Sequence, residues 1–353
     1  MPRAQSIRVP KQLGERALRT LTSLALLQHG LRIHSNSELA IPLLRRPDSN
    51  ELETLRDTLG TFSLYEMDFQ SRESRPKSLK EALTGVLRDD MLSSLPKSMD
   101  ILGQVAIVEI ATALENAKSS IGKAVLDTHR NVRTVLAKTG PVTGQLRLRE
   151  YEVIAGDENT ETTHREYGCT YILDPTKVYF SPRLSTEHRR VTRQVIPGET
   201  VLDMFAGVGP FSILIAKTQP EAKVYAVELN PIAERYLERN ITLNHVEERV
   251  TPIPGDARQV VQSKLLPKVD RVIMNLPENA LAFIETACQA IGTGGLIHYY
   301  TFKKGSEALK EAEEEVSLAV KREGREVVAV EASRLVRETA PRTWQVAVDI
   351  RIR

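Results

Sequence analysis

Two glycines follow an acid in "VLDMFAGVGPF", residues 201–211, where a mostly apolar run turns and then becomes apolar again. Glycines at such a turn let the backbone approach a ligand closely and present its amides from a helix N-terminus. The acid before them, Asp203, is followed by Glu228 in "AVELN" and Asp256 in "PGDAR". Glu228 can accept hydrogen bonds from both hydroxyls of a ribose. Asp256 can accept one from an adenine amino group. Position 212 is Ser, so the third glycine of a dinucleotide fingerprint is absent. Glycines without a phosphate-binding lysine, beside acids in series, suit S-adenosylmethionine better than NAD, because it carries no phosphate. "MNLPENA" adds Asn275, whose amide can both accept from and donate to a nucleobase edge. Pro277 stiffens that loop. Enzymes that methylate exocyclic amines often carry N-P-P-Y here. Leu276 and Glu278 depart from that pattern, which points to a ring nitrogen or another acceptor.

Those residues need a frame that brings them together. After residue 190 the chain alternates strand and helix: "TVLDMFA", "KVYAVEL", "VTPIPGD", "DRVIMNL" and "GLIHYYTF" read as strands. "PFSILIAKT", "PIAERYLERNITLN" and "SEALKEAEEEVSLAVKREG" read as helices. "EVVAVEASRLV" and "TWQVAVDIRI" leave no room for a crossover and predict an antiparallel hairpin. This order predicts a mostly parallel sheet covered on both faces, with ligands at the carboxyl ends of its strands. Asp203, Glu228, Asp256 and Asn275 all fall at such ends.

Upstream the grammar differs. Leu13 to Gln28 reads as a helix and "LRIHSNSELAIPLLR" as strand, turn and strand. "QSRESRPKSLKEAL" is polar around Pro76 and reads as a linker into a helix. "QVAIVEI" is strand-like, and the apolar spacing of "ATALENAKSSIGKAVLDTHRNVRTVL" is helical. "QLRLREYEVIAG" and "TTHREYGCTYILD" alternate as half-buried strands do, with a turn at "GDENT". No internal repeat stands out.

Composition narrows the class. The 353 residues allow two or three domains, and 41% apolar with 27% charged residues is ordinary for a soluble globular protein. Two cysteines cannot build a disulfide framework or a four-cysteine zinc site; they fit a reducing cytoplasm, and no metal is expected. No signal peptide or membrane span is legible. At a net charge of +2, nucleic-acid binding must come from local patches. "SPRLSTEHRRVTR" is one: Arg183, Arg189, Arg190 and Arg193 surround a single Glu187.

"DMFAGVGPFSI", "ELNPIA", "RVIMNLP", "GGLIHYYTF" and "VYFSPRLSTE" together resemble the archaeal and eukaryotic tRNA (guanine-37 N1)-methyltransferases. "SMDILGQVAIVEI" resembles that family's middle domain. The likeness runs from about Asp100 onward; residues 1–70 match by position and size alone. It implies a class I, Rossmann-like methyltransferase domain with a seven-stranded, mostly parallel sheet over 186–353. An α+β RNA-binding domain over 83–185 precedes it, then a 71–82 linker and a small α+β N-terminal domain over 1–70 that reaches the tRNA elbow. The related aminocarboxypropyltransferases usually read G-Y-F after the glycines, where this chain reads G-P-F.

By that resemblance Glu187 is the general base, with Glu199 and Glu278 as rivals that spacing does not exclude. Arg147 faces the guanine O6, with Arg149 as the near alternative, and Tyr179 lies close to the flipped base. The expected cofactor set is Asp203, Phe205, Gly207, Gly209, Glu228, Asn230, Asp256 and Asn275. The expected catalytic set is Glu187, Arg147, Asn275, Pro277 and Tyr179. Arg149, Arg183, Arg189 and Arg190 are expected on RNA. The partner implied is tRNA with G at position 37, met by a monomer. Two other readings stand beside this one: a wyosine-pathway enzyme on the same nucleotide, and a catalytically silent RNA-binding relative.

Overall fold

The computed structural model describes residues 1–71, 76–144, 146–263 and 266–353. The chain separates into two compact units, Met1–Lys77 and Ser78–Arg353. The first unit is an antiparallel sheet of His34–Ser35, Glu38–Pro42, Arg3–Pro10 and Ser63–Asp68, in that order. Helices Gly14–Ser23 and Ser49–Leu59 complete it, around a core that includes Ile7, Leu21, Ile41 and Leu55. Asp48 and Glu51 form a reciprocal capping box at the second helix. The expected strand–turn–strand is present, and the expected helix ends at Ser23 rather than Gln28. Of the polar linker, residues 72–75 lie outside the described residues; the helix it leads into is Leu79–Leu83.

The second unit is built on a seven-stranded sheet. Its strands are β1 (Thr200–Asp203), β2 (Lys223–Glu228), β3 (Val250–Pro254), β4 (Val269–Met274), β5 (Ile291–Lys304), β6 (Val327–Ala340) and β7 (Thr343–Ile352). They stand in the order β3-β2-β1-β4-β5-β7-β6. The first five are parallel, and β7 and β6 add an antiparallel hairpin at β5. Helices Pro210–Thr218 and Pro231–Asn244 begin with proline at the first turn, where the missing N–H costs nothing. This is the mostly parallel sheet the alternation predicts and the class I methyltransferase arrangement the family resemblance implies. Among the described residues no helix is long and apolar enough to cross a membrane, and no group of acids, histidines and cysteines could hold a metal ion.

Before that sheet come Asp100–Leu102, Val105–Val108, Thr134–Lys138 and Tyr151–Gly156, a second sheet in chain order. Three expectations change here. "RTVL" is not helix: the helix ends at Thr128, and Thr134–Lys138 pairs in parallel with Val105–Val108. No glycine or proline marks that boundary, so only tertiary pairing reveals it. "TTHREYGCTYILD" is a hairpin that folds back at Tyr167 and Gly168, both at positive φ. "QLRLRE" is not strand. Thr143 bridges Leu148 across a tight loop in which Gly144 (φ +69) and Arg147 (φ +54) are left-handed; Gln145 lies outside the described residues. Leu102, Leu136, Tyr171 and Val178 share one apolar core with Val201 and Phe211, so this region and the main sheet pack as one body.

Candidate active site

A cavity of about 460 Å³ opens at the carboxyl ends of β1 to β4. The turn after β1 hangs on its neighbours, Met204 N–H donating to Ile273 O (3.1 Å) and Ala206 N–H to Val227 O (2.9 Å). Gly207 lines the cavity at φ +57. A Cβ there would meet only the Tyr179 carbonyl, at 3.7 Å. Gly209 (φ +93) turns the other way: a Cβ would lie 2.7 Å from Ile213 and Leu237, so it serves helix packing and not the cavity. Asp203 also points away. It is fully buried and accepts from the Ser212 hydroxyl at 2.7 Å. Burial pushes its carboxyl up to about 7.

That carboxyl keeps its proton longer in the folded protein than in the unfolded chain. Folding stability due to Asp203 therefore falls as pH rises from its ordinary 3.8 to about 7, and is constant above. Asp203→Asn should remove this loss. Its melting temperature relative to the native protein should rise between pH 5 and pH 8, by about 2–4 °C per kcal/mol regained. Parallel melting curves across that range would show Asp203 to be ionised throughout in the folded protein, as it is in the unfolded chain.

Glu228 ends β2 inside the cavity wall. Its two oxygens accept from Gly207 N–H and Asn230 N–H, both at 2.7 Å. Burial raises its carboxyl above the usual range, and those amides partly offset the effect. Asp256 caps helix Ala257–Gln262 by accepting from Arg258 N–H at 2.8 Å. Phe205 meets Phe283 edge to face at 4.9 Å, and the Arg258 guanidinium lies 3.8 Å over the Phe283 ring. Acidic acceptors, a Cβ-free approach at Gly207 and apolar rings fit a nucleoside with hydroxyls and an amino group. Glu228→Ala should weaken S-adenosylmethionine binding by roughly 1.5–3 kcal/mol, as for bonds to a charged group. A titration calorimetry result within a factor of two of native would make Glu228 a scaffold for the glycine turn alone.

The same cavity is lined by the expected base-reading residues. Arg147, Tyr179, Asn275 and Glu278 all line the cavity. The Arg147 guanidinium stacks 4.6 Å from the Tyr179 ring, and its Nη2 lies 3.6 Å from Glu278. Its Nε is buried without a hydrogen-bond partner. Pro277 is buried in the loop and adds nothing to the cavity face. A second cavity, about 420 Å³, shares Arg147, Tyr179 and Glu278 with the first and adds Arg149, Arg183 and Arg337. The two cavities thus meet at those three residues, and the second adds the further cations.

Glu187 lies outside both cavity linings and is 1% exposed. Its Oε1 accepts from Arg190 (2.7 and 2.9 Å) and from the Tyr300 hydroxyl (2.7 Å). Its Oε2 has no hydrogen bond; Arg334 is 3.5 Å away. Arg190 also binds Asp349, which accepts from His298 Nδ1 at 2.6 Å. Burial opposes ionisation of Asp349, but the bonds from His298 and Arg190 outweigh it and hold the carboxyl well below its usual range. Arg271 has only donors, so His298 Nε2 must accept from it and Nδ1 must carry the proton. Glu199 sits at the start of β1, bound to Arg271 at the end of the sheet away from the cavity.

The basic patch thus divides. Arg189 and Arg193 are exposed, with Arg189 over the Tyr167 ring. Arg183 is half-exposed and bound to Asp100 at 2.6 Å. Arg190 faces inward. Sequence reasoning missed Arg337, Gln345 and Asp349. The only signal was a polar side chain at registers of the final hairpin where neighbours are apolar and buried.

A family model described as TRM5/TYW2 methyltransferase domain matches residues 162–328, and one described as TYW2 N-terminal domain matches 79–160. The chain is 38% identical to the tRNA (guanine(37)-N(1))-methyltransferase Trm5b of Pyrococcus abyssi over 98% of both chains. Among solved structures it resembles aTrm5 in complex with tRNALeu, at TM-score 0.70 and 31% identity, over 99% of each chain. It also resembles M. jannaschii TYW2 in complex with AdoMet, at TM-score 0.57 and 29% identity, over 72% of this chain and 99% of that one.

Proposed function

The chain belongs to the family of tRNA (guanine-37 N1)-methyltransferases, and on that premise we propose that it transfers a methyl group from S-adenosylmethionine to N1 of guanosine 37 in tRNA. One observation carries the reading: a single cavity is lined by Gly207, Glu228 and Asp256 together with Arg147, Tyr179 and Asn275. Nucleoside-binding acids and base-reading groups face the same space.

S-adenosylmethionine, when bound, supplies a methyl group on a positively charged sulfur. Glu228 accepts from its ribose hydroxyls, Gly207 lets it approach the backbone, and Asp256 accepts from its adenine amine. The target guanine must leave its stack to enter. N1 of guanine holds a proton at neutral pH and is a poor nucleophile until that proton is removed. Glu187, outside the cavity lining, is read as its acceptor on the family likeness; its Oε2 has no hydrogen bond and lies 3.5 Å from Arg334, while Arg190 and Tyr300 hold the other oxygen. Charge then moves to O6, where Arg147 stabilises it. Tyr179 packs against that guanidinium and fixes its plane.

Arg149, Arg183, Arg189 and Arg193 are read as phosphate contacts, which position RNA without reading its sequence. Residues 83–185 form the RNA-binding part and residues 1–70 the part that reaches the elbow. Within this reading the protein works as a monomer in the cytoplasm, where its two buried cysteines stay reduced. Incubation with labelled cofactor and an unmodified tRNA transcript should give 1-methylguanosine at position 37. Label on another nucleoside, or transfer only to a tricyclic precursor, would overturn the reading.

A further inference from the structure

A chain of hydrogen bonds runs behind the base-reading wall. Arg337 on β6 lies opposite Gln345 on β7 in the hairpin register. Its guanidinium donates to the Tyr179 hydroxyl (3.2 Å), to Ser181 Oγ (2.9 Å) and to Gln345 Oε1 (2.9 Å). Gln345, 1% exposed, donates from Nε2 to Asn275 Oδ1 at 3.3 Å. The direction of the whole chain follows from its first member. Arginine has only donors, so Gln345 must turn its oxygen to Arg337. Its NH₂ is left for Asn275, which must answer with oxygen. Asn275 therefore presents its NH₂ to the cavity, where it has no hydrogen-bond partner among the described residues.

We propose that Arg337 and Gln345 are positioning residues that fix the hydrogen-bond polarity of Asn275, so that it offers the target base a donor and not an acceptor. This rests on the reading of the cavity as a guanine site. On the Watson–Crick edge of guanine the acceptor is O6, and N1 joins it once its proton has gone. Two donors, Asn275 and Arg147, then face one carbonyl with two lone pairs. Adenine sets an amine against the same groups. The relay thus selects the 6-oxo base from behind the wall, through residues that need not touch it.

Gln345→Glu tests this, because the new carboxylate still pairs with Arg337 but can no longer donate to Asn275. Single-turnover methylation of guanosine 37 should fall about tenfold to a hundredfold, the cost of a misdirected polar group. Cofactor affinity and melting temperature should stay near native. In an Asn275→Ala background the same substitution should change the rate less than about twofold, since the pair acts as one unit. Equal losses in both backgrounds would reduce Gln345 to a structural role and overturn the proposal. Gln345→Met, which removes the donor without adding charge, gives the same comparison if the carboxylate prevents folding. A readout independent of substrate is the Asn275 side-chain amide in NMR of asparagine-labelled protein, identified by its absence in Asn275→Asp. It should move in Gln345→Glu, and an unmoved signal sinks the relay whatever the enzyme modifies. A native protein that makes no 1-methylguanosine, yet shows the shift, would instead refute the assigned reaction and leave the relay standing.

Discussion

Glu187→Gln should slow the methyl-transfer step by about 10²–10⁴-fold, the usual worth of a positioned general base. The fold should tolerate it. Gln Oε1 can keep the bonds from Arg190 and Tyr300, and its amide nitrogen falls where Oε2 has no hydrogen bond. Cofactor and tRNA affinities should change little. Raising the pH should partly restore the rate, because ionised guanine no longer needs the base. Arg147→Ala should respond differently. Without the guanidinium, charge on O6 has no counter-ion, so high pH should rescue it less. Single-turnover rates across pH separate the two. A near-normal rate for Glu187→Gln at neutral pH would pass the role to Glu278, which does face the cavity.

The second large effect is on stability. Arg190→Ala leaves Glu187 and Asp349, both nearly fully buried, without the cation between them. Removing one member of a buried ion group costs about 3–5 kcal/mol, which for a unit of this size lowers the melting temperature on the order of 10 °C. Arg189→Ala, one residue earlier, should hardly move the melting temperature. It should instead reduce the salt dependence of tRNA binding by roughly one counter-ion. A stable Arg190→Ala protein with a flattened salt slope would put Arg190 on the RNA and refute the inward assignment.

That contrast also shows where sequence reading reaches its limit. "HRR" gives two adjacent arginines of equal chemistry, and only the rotation of helix Ser185–Thr192 sends one to the surface and the other to a buried acid. The parallel sheet was legible because its signals are local: proline and asparagine open helix Pro231–Asn244, and the glycine turn follows β1 directly. Glu228, Asp256 and Asn275 could be assigned to the cavity because strand ends are fixed by that alternation. Asp203 and Gly209 share the same motif yet face inward, since a turn directs side chains by dihedral angle and not by sequence distance. The loop holding Arg147 imitates a strand because its apolar and charged residues alternate; of the two left-handed residues that break it, Gly144 lies just before the alternation and Arg147 leaves no mark in composition. Gln345 and Asp349 act across distances in sequence that no local pattern records: they meet Asn275 and Arg190 through side-chain bonds made by tertiary packing.

The position of β7 has a consequence for how the protein is made. Of the seven strands it is synthesised last, yet it lies inside the sheet, between β5 and β6. A nascent chain that has emerged as far as β6 cannot add that strand at the edge of the growing sheet; β6 must wait for a partner that does not yet exist. Until β7 inserts, Arg190 lacks Asp349 and Asn275 lacks Gln345. A nascent chain that has emerged only as far as β6 should therefore hold a nucleoside-binding half with no competent base-reading wall. Until the β6–β7 hairpin docks, the β5 edge of the sheet stays unpaired and open to wrong partners.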